Sequence, residues 1–449
     1  MLKGAAMKAV IIGGVAAGMS AASKIKRNDP TAEVTVYEKG NYLSYGACGL
    51  PYFVSGENTD YTKMIARTRE EFSKAGINTY LKHEVLSVSP EQKTVTVSNL
   101  ENGEVFKDSY DSLLIATGCT SVVPPITGID NAGVFYIKTL EDGLLLQKVA
   151  SHPSVRKCVV VGGGYIGIEM TEALLGLGKE VTVIEEANRI LSPFEPEFSE
   201  MATQELKQNG AQVNTGERVL EIEEKQTHRV VRTSRGEYQA DIILMAVGVM
   251  PATQFLKDTG IRMAKNGAII VDREMRTSIP GIYAAGDCAV TYNKIMQEDY
   301  FLPLGTVANK CGRIAGENML GRHEKFVGAL GTAAIKVCGI EMGRTGMSEA
   351  DARRLGIDYR TSLVTAYNHP AYYPGQTAIA IKLIYEKGTK RLLGACAAGR
   401  QGAVLRVDMF AIAIHAGMTT NELGMVDLAY APPFSGVWDA VHIAANAAK

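Results

Sequence analysis

The sequence predicts an α/β fold with two similar nucleotide-binding units, followed by a third domain of a different kind. Two glycine-rich segments, Gly13-Gly14-Val15-Ala16-Ala17-Gly18 and Gly162-Gly163-Gly164-Tyr165-Ile166-Gly167, each follow a short apolar run. An acidic residue, Glu38 or Glu185, closes a second apolar run 25 or 23 residues after the first glycine of its copy. A strand, a glycine turn, a helix and a second strand ending in an acid are typical of a Rossmann-like dinucleotide site. Two such units in one chain suggest two cofactors that exchange electrons.

The residue types of each copy suit the binding of a pyrophosphate and a ribose. Glycines allow a sharp turn and a close approach of the backbone to phosphate. The free N–H groups and the dipole of the following helix attract the anion. Glu38 and Glu185 are placed to accept hydrogen bonds from ribose hydroxyls. The first copy departs from the pattern, because Val15 stands where a second glycine is usual.

Apolar strands with similar endings follow each unit and define the domain organisation. The segments Ala116-Thr117-Gly118 and Ala246-Val247-Gly248 end two of them, and Ala285-Gly286-Asp287 leads toward a helix that begins near residue 304. We predict a discontinuous first domain (7–120 and 246–325) with a second nucleotide-binding domain (121–245) inserted in it. From residue 326 to 449 the alternation of apolar residues predicts an antiparallel sheet with helices, an α+β domain.

Composition excludes several classes of protein. The 449 residues carry a formal net charge of −1, which argues against a nucleic-acid partner. No apolar run reaches the roughly 18 residues of a transmembrane helix. The seven cysteines are scattered and form no C-x-x-C pair, so we expect reduced thiols, a cytoplasmic location and no metal site.

One cysteine is a candidate redox centre. Cys48 lies between the two glycine-rich segments, in Ser44-Tyr45-Gly46-Ala47-Cys48-Gly49-Leu50-Pro51-Tyr52. A thiolate is the reactive form of cysteine, so this role needs a lowered pKa, to which a helix beginning near Leu50 could contribute. The alternative is that Cys48 is a small apolar residue of the core.

These motifs resemble those of the flavoprotein pyridine nucleotide–disulfide oxidoreductases over essentially the whole chain. The resemblance implies FAD in the first unit, NADH or NADPH in the second, and a C-terminal domain that forms a homodimer. The FAD contacts it implies are Gly13, Val15, Ala16, Ala17, Gly18, Glu38, Lys39, Val85, Ala116, Thr117, Gly118, Gly286, Asp287, Gly305 and Thr306. The nicotinamide nucleotide contacts it implies are Gly162, Gly164, Tyr165, Ile166, Gly167, Glu185 and Gly248.

Within that family, the chain resembles the branch whose members carry a single redox cysteine. This branch contains coenzyme A-disulfide reductases, persulfide or polysulfide reductases, NADH oxidases and NADH peroxidases. The oxidases and peroxidases usually carry a histidine in the first glycine-rich segment, which this chain lacks. The segments around Tyr372 and Tyr430 resemble the coenzyme A-disulfide reductases, which implies that both tyrosines act on the partner subunit's cysteine. Residues implied to contact the substrate are Ser20, Lys24, Arg27 and Ser44.

The resemblance therefore implies an enzyme that uses NAD(P)H, through FAD and Cys48, to cleave S–S bonds. Coenzyme A disulfide, a persulfide and polysulfide remain open as substrates, and coenzyme A is expected either as substrate or as a mixed disulfide on Cys48. The alternatives are an NADH oxidase that cycles through a cysteine sulfenic acid and a redox sensor that does not turn over. Glu185 predicts a preference for NADH, while Arg189 lies close enough to allow some use of NADPH.

Overall fold

The N-terminal part of the chain alternates strands and helices and then forms a run of strands. The structure is a computed structural model that describes residues 6–449. The elements of this part are β1 (Lys8–Ile12), α1 (Ala16–Asn28), β2 (Glu33–Glu38), α2 (Leu50–Val54), α3 (Arg69–Lys74), β3 (Ile77–Leu81), β4 (His83–Ser89), β5 (Thr94–Asn99), β6 (Val105–Ser109), β7 (Ser112–Ile115) and β8 (Cys119–Ser121).

The middle of the chain repeats this plan. Its elements are β9 (Val134–Phe135), α4 (Leu140–Ala150), β10 (Lys157–Val161), α5 (Tyr165–Gly176), β11 (Glu180–Glu185), α6 (Pro196–Gln208), β12 (Gln212–Thr215), β13 (Val219–Glu224), β14 (Arg229–Thr233), β15 (Glu237–Ala240), β16 (Ile242–Met245) and β17 (Val249–Pro251).

The remaining elements complete the first unit and build the C-terminal domain. They are β18 (Ile282–Ala284), β19 (Thr291–Asn293), β20 (Glu298–Tyr300), α7 (Gly305–Met319), β21 (Ala333–Val337), β22 (Ile340–Gly346), α8 (Glu349–Arg354), β23 (Tyr359–Tyr367), β24 (Ala378–Glu386), β25 (Leu392–Gly399), α9 (Ala403–Ala416), α10 (Thr420–Leu423) and α11 (Ala440–Asn446).

Two parallel five-stranded sheets form the two nucleotide-binding units, which confirms the predicted fold class. Their strand orders are β18-β7-β1-β2-β3 and β12-β11-β10-β16-β9. In each sheet the strand that precedes the glycine turn runs parallel to the strand that ends in the acid. The turn and the acid therefore meet at the same edge of the sheet, the one formed by the carboxyl ends of the strands. Strand β18 comes from far along the chain and pairs with β7. The exact domain boundaries stay a prediction.

Helices α1 and α7 pack closely because glycines of α7 face the backbone of α1. A Cβ atom at Gly312 would lie 2.2 Å from the carbonyl oxygen of Ala17, and one at Gly316 would lie 2.7 Å from that of Ala21. Real Cβ atoms do not approach an oxygen so closely, so only glycine allows this helix pair. The contact places the N-termini of both helices at the same edge of the first sheet.

The C-terminal domain has an antiparallel sheet in the order β21-β22-β25-β24-β23, in agreement with the alternating apolar pattern. Helices α9 and α11 pack on it around a core that includes Ile381, Phe410 and Val441. Among residues 6–449, none of the helices combines the length and apolar character needed to span a membrane.

A buried group of charges joins the second nucleotide-binding unit to the C-terminal domain. Lys382 of β24 is 5% exposed and binds Glu195 at 3.4 Å, Glu197 at 2.8 Å, and Glu349. Burial alone would lower the pKa of Lys382, but hydrogen bonds to Glu197 and Glu349 and the charge of Glu195 raise it. A second ion pair also connects the two domains: the ammonium group of Lys336 lies 2.6 Å from the Glu172 carboxylate of α5.

Candidate functional site

The two glycine turns have the same geometry. Gly13 and Gly162 have φ values of +106° and +110°. A Cβ atom would lie 2.2 Å from the Ala116 oxygen at Gly13, and 2.3 Å from the Ala246 oxygen at Gly162. Both positions therefore require glycine, because a left-handed backbone and a close carbonyl each exclude a side chain.

The last glycine of each copy lets the helix start against the turn. A Cβ atom at Gly18 would lie 1.9 Å from the Gly13 oxygen, and one at Gly167 would lie 1.9 Å from the Gly162 oxygen. Helices α1 and α5 begin immediately beside these contacts, and neither has a side chain that caps its N-terminus. The N–H groups of both first turns are thus available to a phosphate.

The position of the middle glycine explains the departure at Val15. A Cβ atom at Gly164 meets no heavy atom within 4 Å, and φ there is −78°. Val15 holds the matching position before α1, with φ of −108°. A side chain is therefore compatible with the backbone at this point, and Val15 leaves the first turn intact.

The two predicted ribose-binding acids are fixed in the same way. The carboxylate of Glu38 accepts hydrogen bonds from the N–H groups of Gly14 and Gly40, both at 2.7 Å. That of Glu185 accepts from Gly163 at 2.5 Å and Ala187 at 2.7 Å. Burial raises the pKa of Glu38, while its two N–H donors act in the opposite direction. Both carboxylates are held rigidly beside their glycine turns.

The segment after β18 brings further predicted FAD contacts to the first turn. A Cβ atom at Gly286 would lie 3.1 Å from the Cβ of Ala17, so Asp287 stands beside the start of α1. The Asp287 carboxylate binds Lys138 at 3.2 Å and accepts from the Cys119 thiol at 3.4 Å. Gly305 and Thr306 are exposed at the N-terminus of α7, which also lacks a capping side chain.

The other predicted cofactor positions occupy strand ends and loops around the two turns. The Thr117 hydroxyl donates to the Ala252 oxygen at 2.8 Å, which ties together the two chain segments that are predicted to form the first unit. Gly118 and Gly248 have positive φ and open space where a side chain would lie. Val85 is buried in β4, Lys39 is exposed after β2, and Ile166 is half-buried in α5. The Tyr165 ring packs on Phe194, with ring centroids 5.9 Å apart.

These features fit two dinucleotides. Rigid glycine turns, uncapped helix N-termini and a fixed acid at each sheet edge are what a pyrophosphate and a ribose require. Beside the first turn lie the start of α7, Asp287 and, from the second unit, Lys138, and these groups suit the additional polar groups of FAD.

Cys48 lies in a short 3₁₀ turn (Ala47–Gly49) directly before α2. It is exposed, whereas the other cysteines are buried or, for Cys338, half-buried. The segment is tied to the first glycine turn, since the Ser44 N–H donates to the Gly14 oxygen at 2.9 Å. Ser44 adopts a left-handed conformation with φ of +49°, a strained backbone that is common at functional sites.

The electrostatics around Cys48 differ from the expected lowering of its pKa. Partial burial raises the pKa of the Cys48 thiol, the Glu169 carboxylate raises it further, and Lys138 acts in the opposite direction. Burial and the neighbouring Glu172 carboxylate raise the pKa of Glu169 to about 7. The residues of this chain therefore favour the neutral thiol, and a thiolate needs a further positive or polar group.

Glu169 was missed by the sequence analysis. It lies on α5 four residues after Tyr165, so it faces the same side of the helix. It lines a small cleft between α2 and α5 together with Pro51, Tyr52, Ser55, Glu57, Glu172 and Ala173. No residue among 6–449 hydrogen-bonds to its carboxylate, whereas Glu172 binds Lys336 and the Cys338 N–H. The signal available in the sequence was its position four residues after Tyr165, which places both side chains on one face of the predicted helix.

The substrate positions implied by the resemblance lie along α1, with one unexpected pairing. Lys24 binds the Glu317 carboxylate at 2.5 Å, and both side chains are less than one-fifth exposed. The Ser20 hydroxyl donates to the Asn309 side chain at 2.7 Å. Arg27 is exposed one turn further along. Glu317 also binds Arg322 at 2.8 Å, so it is shared between two cations. The Lys24 side chain is held within the chain, and Arg27 is the more exposed cation.

Tyr372 and Tyr430 are brought together although 58 residues separate them. Their hydroxyl groups lie 2.8 Å apart, and both rings are exposed, at 72% and 46%. The hydrogen bond between the two hydroxyl groups raises the pKa of Tyr372. Neither hydroxyl hydrogen-bonds to the Cys48 segment of the same chain within residues 6–449. We call these two residues the tyrosine pair.

Two dinucleotide-binding turns, with an exposed cysteine between them in the sequence, are typical of flavin-dependent electron-transfer enzymes. The chain belongs to the pyridine nucleotide-disulphide oxidoreductase family: the family model matches residues 7–300, and its dimerisation domain matches residues 332–441. It is an FAD-dependent oxidoreductase that uses NAD(P)H.

Relatives of known description cover nearly all of the chain. It is 38% identical to an NAD(P)H coenzyme A polysulfide/persulfide reductase of Pyrococcus horikoshii, over 98% of each chain. It is 33% identical to an NADH oxidase of Enterococcus faecalis, over 98% of this chain and 99% of that one. The structure of the reduced CoADR-RHD protein of Bacillus anthracis superposes with a TM-score of 0.96 at 33% identity, over 98% of this chain and 80% of that one.

Proposed function

We propose that this enzyme reduces the S–S bond of coenzyme A disulfide, or of a related coenzyme A persulfide or polysulfide, with NAD(P)H as electron donor. The observation that carries the proposal is the single exposed Cys48 at the start of α2, tied to the first glycine turn. No second cysteine follows at the spacing of a redox disulfide, since Phe53 stands five residues on. Cys48 must therefore form its disulfide with the substrate.

The proposed reaction consumes one NADH and one proton and yields NAD⁺ and two thiols. The bound flavin supplies the transfer of an electron pair from the nicotinamide to sulfur. The Cys48 thiolate attacks one sulfur of coenzyme A disulfide, so that a Cys48–coenzyme A disulfide forms and a coenzyme A thiolate leaves. The electron pair then breaks that mixed disulfide, which releases the second coenzyme A thiolate and restores Cys48. With a coenzyme A persulfide, the first leaving group is hydrosulfide.

The protein's own residues supply binding and protons. The proposed cofactor contacts are the two glycine turns, Glu38, Glu185 and Asp287. Arg27, Ser20 and Ser44 are proposed to bind the substrate, with Lys24 released from Glu317 or acting as part of that pair. The phosphates of coenzyme A carry negative charge, for which the exposed guanidinium of Arg27 is a suitable partner.

The tyrosine pair is proposed to act across a homodimer. The dimerisation domain carries the pair on its surface, and a two-fold axis would bring it to the partner's Cys48. A tyrosine with a pKa of 10 or above holds its proton at neutral pH and can give it to a leaving thiolate. The hydrogen bond within the pair keeps one hydroxyl oriented while the other donates. We also infer a cytoplasmic location, because free thiols suit a reducing compartment.

The test is mass spectrometry of the purified protein combined with anaerobic turnover. We expect coenzyme A attached to Cys48, removable by dithiothreitol, and NADH oxidation by coenzyme A disulfide without oxygen. Cys48→Ser should abolish both. Absence of any turnover with coenzyme A disulfide, persulfide and polysulfide would contradict the proposal.

An NADH oxidase is the second candidate, because three relatives that match 98% of this chain carry that description. Val15, Ala16 and Ala17 argue against it, since the oxidases usually carry a histidine at this point of the turn. Oxygen uptake that accounts for all NADH consumed, with no acceleration by sulfur substrates, would favour the oxidase.

A further inference from the structure

An exposed ion pair stands next to the acid of the second nucleotide-binding unit. Glu186 directly follows Glu185, and its carboxylate binds the guanidinium of Arg218 at 2.6 and 2.8 Å. The two side chains are 62% and 63% exposed. Arg218 is therefore a cation beside the expected position of the adenosine ribose.

The fold fixes Arg218 at this position through the backbone. Strands β11 and β12 are parallel neighbours, so their carboxyl ends lie side by side at the sheet edge where ligands bind. The loop after β12 is hydrogen-bonded to the segment after β11: the Glu217 N–H donates to the Glu185 oxygen at 3.0 Å, and the Gly216 N–H to the Ala187 oxygen at 2.8 Å. The position of Arg218 is thus linked to that of Glu185.

Glu217 anchors this loop and leaves Arg218 directed outward. Its carboxylate is 4% exposed and accepts hydrogen bonds from the hydroxyl groups of Thr233 and of Tyr238, the latter at 2.9 Å. Arg189, the cation that the sequence suggested for this role, instead donates to the Ser192 oxygen at 2.8 Å. Arg218 is better placed than Arg189 to meet a group on the ribose.

The weak interaction within this ion pair allows Arg218 to exchange Glu186 for a phosphate group. An exposed ion pair contributes little to stability, so little is lost when Arg218 leaves Glu186. A phosphate offers Arg two charge-assisted hydrogen bonds in a geometry that its fork-shaped group matches. The nearby carboxylate of Glu186 repels a phosphate, and it also competes for Arg218.

We propose that Glu186 and Arg218 form a nucleotide-selection pair: Arg218 binds the 2′-phosphate of NADPH, and Glu186 limits this by holding Arg218 and repelling the phosphate. The proposal rests on the proposed function only in that both nucleotides bind the second unit. It predicts an enzyme that accepts both NADH and NADPH: Glu185 favours NADH by binding the free ribose hydroxyl, and Glu186 adjusts how strongly NADPH is disfavoured.

Equilibrium binding of NAD⁺ and NADP⁺ to the FAD-loaded enzyme tests the pair. For Glu186→Gln we expect the Kd of NADP⁺ to fall about 3- to 10-fold, because a competing charge and a repulsion are removed, while that of NAD⁺ changes less than about twofold. Arg218→Ala should raise the Kd of NADP⁺ about 5- to 10-fold, and the double variant should lose the gain of Glu186→Gln. NAD⁺ binding reports in each variant that the site is folded.

Glu223→Gln is the matched control, because Glu223 binds Arg232 at 2.9 Å on the β13–β14 hairpin away from this edge. It should leave both dissociation constants unchanged. The proposal is overturned if Glu186→Gln shifts both nucleotides alike or neither, or if its gain persists without Arg218. Binding of neither nucleotide to any form would overturn the proposed function as well.

Discussion

The charge of Glu169 should control the reactivity of Cys48 across neutral pH. A pKa of about 7 means that Glu169 is about 3% ionised at pH 5.5, half ionised at pH 7 and about 97% ionised at pH 8.5. Ionised Glu169 raises the pKa of the Cys48 thiol. A unit charge acting through a partly buried site is worth on the order of 1 kcal/mol, or about fivefold in thiolate population. In the wild type, the thiol thus becomes harder to ionise as the pH rises.

Glu169→Gln removes this opposition. We expect Cys48 to react with iodoacetamide at the same rate in both proteins at pH 5.5, and about fivefold faster in the variant at pH 8.5. The logarithm of the wild-type rate should rise with a slope below one near pH 7, whereas the variant should keep a slope of one. The protein is reduced with dithiothreitol, desalted and alkylated without oxygen, and the Cys48 peptide is quantified by mass spectrometry.

Glu57→Gln is the control, because Glu57 lines the same cleft but is exposed. Its profile should match that of the wild type. A constant ratio between Glu169→Gln and the wild type from pH 5.5 to 8.5 would refute the electrostatic account, since only a titrating charge changes the ratio.

Three other predictions concern the nucleotide sites and the dimer. Gly162→Ala should weaken NAD⁺ binding about 5- to 150-fold, the equivalent of 1–3 kcal/mol of backbone strain. Gly164→Ala should retain the fold and most of the binding. Equal losses of NAD⁺ affinity in the two variants, measured by titration with NAD⁺, would contradict the claim that only Gly162 requires glycine. Glu185→Ala should narrow the kcat/KM gap between NADH and NADPH, and a wild type that strongly prefers NADPH would show the acid to be misread. Mixing Cys48→Ser subunits with subunits carrying phenylalanine at both positions of the tyrosine pair should restore activity, because one of the two sites in a mixed dimer is intact; inactive heterodimers, verified by mass, would rule out composite sites.

Local sequence patterns predicted the parts of this molecule that depend on local geometry. The glycine turns, their acids and the alternation of strands and helices are each encoded within about 25 residues, as for Gly13 and Glu38. Backbone sterics and side-chain period determine these features, so the fold class followed from them.

Contacts between distant segments were beyond that reasoning. Lys138 meets Asp287 across 149 residues, and Lys24 meets Glu317 from another helix. Such pairs depend on how the sheets and helices pack, which no spacing reveals. The same holds for the thiol: the sequence suggested that the helix lowers the pKa of Cys48, but partial burial and the Glu169 carboxylate of α5 raise it.

The buried ion pairs around Lys382 restrict how far the second nucleotide-binding unit can move when NAD(P)H binds. A swing of the second unit would separate Lys382 from Glu195 and Glu197 and break a buried ion pair, which is unfavourable, so we expect such swings to be rare. The same unit is held through α5, where Glu172 meets Lys336. We therefore expect the nicotinamide to enter while the second unit stays fixed against the C-terminal domain, with local movement of side chains such as the Tyr165 ring. We expect NAD(P)H to enter by local movement of side chains and not by closure of a whole domain.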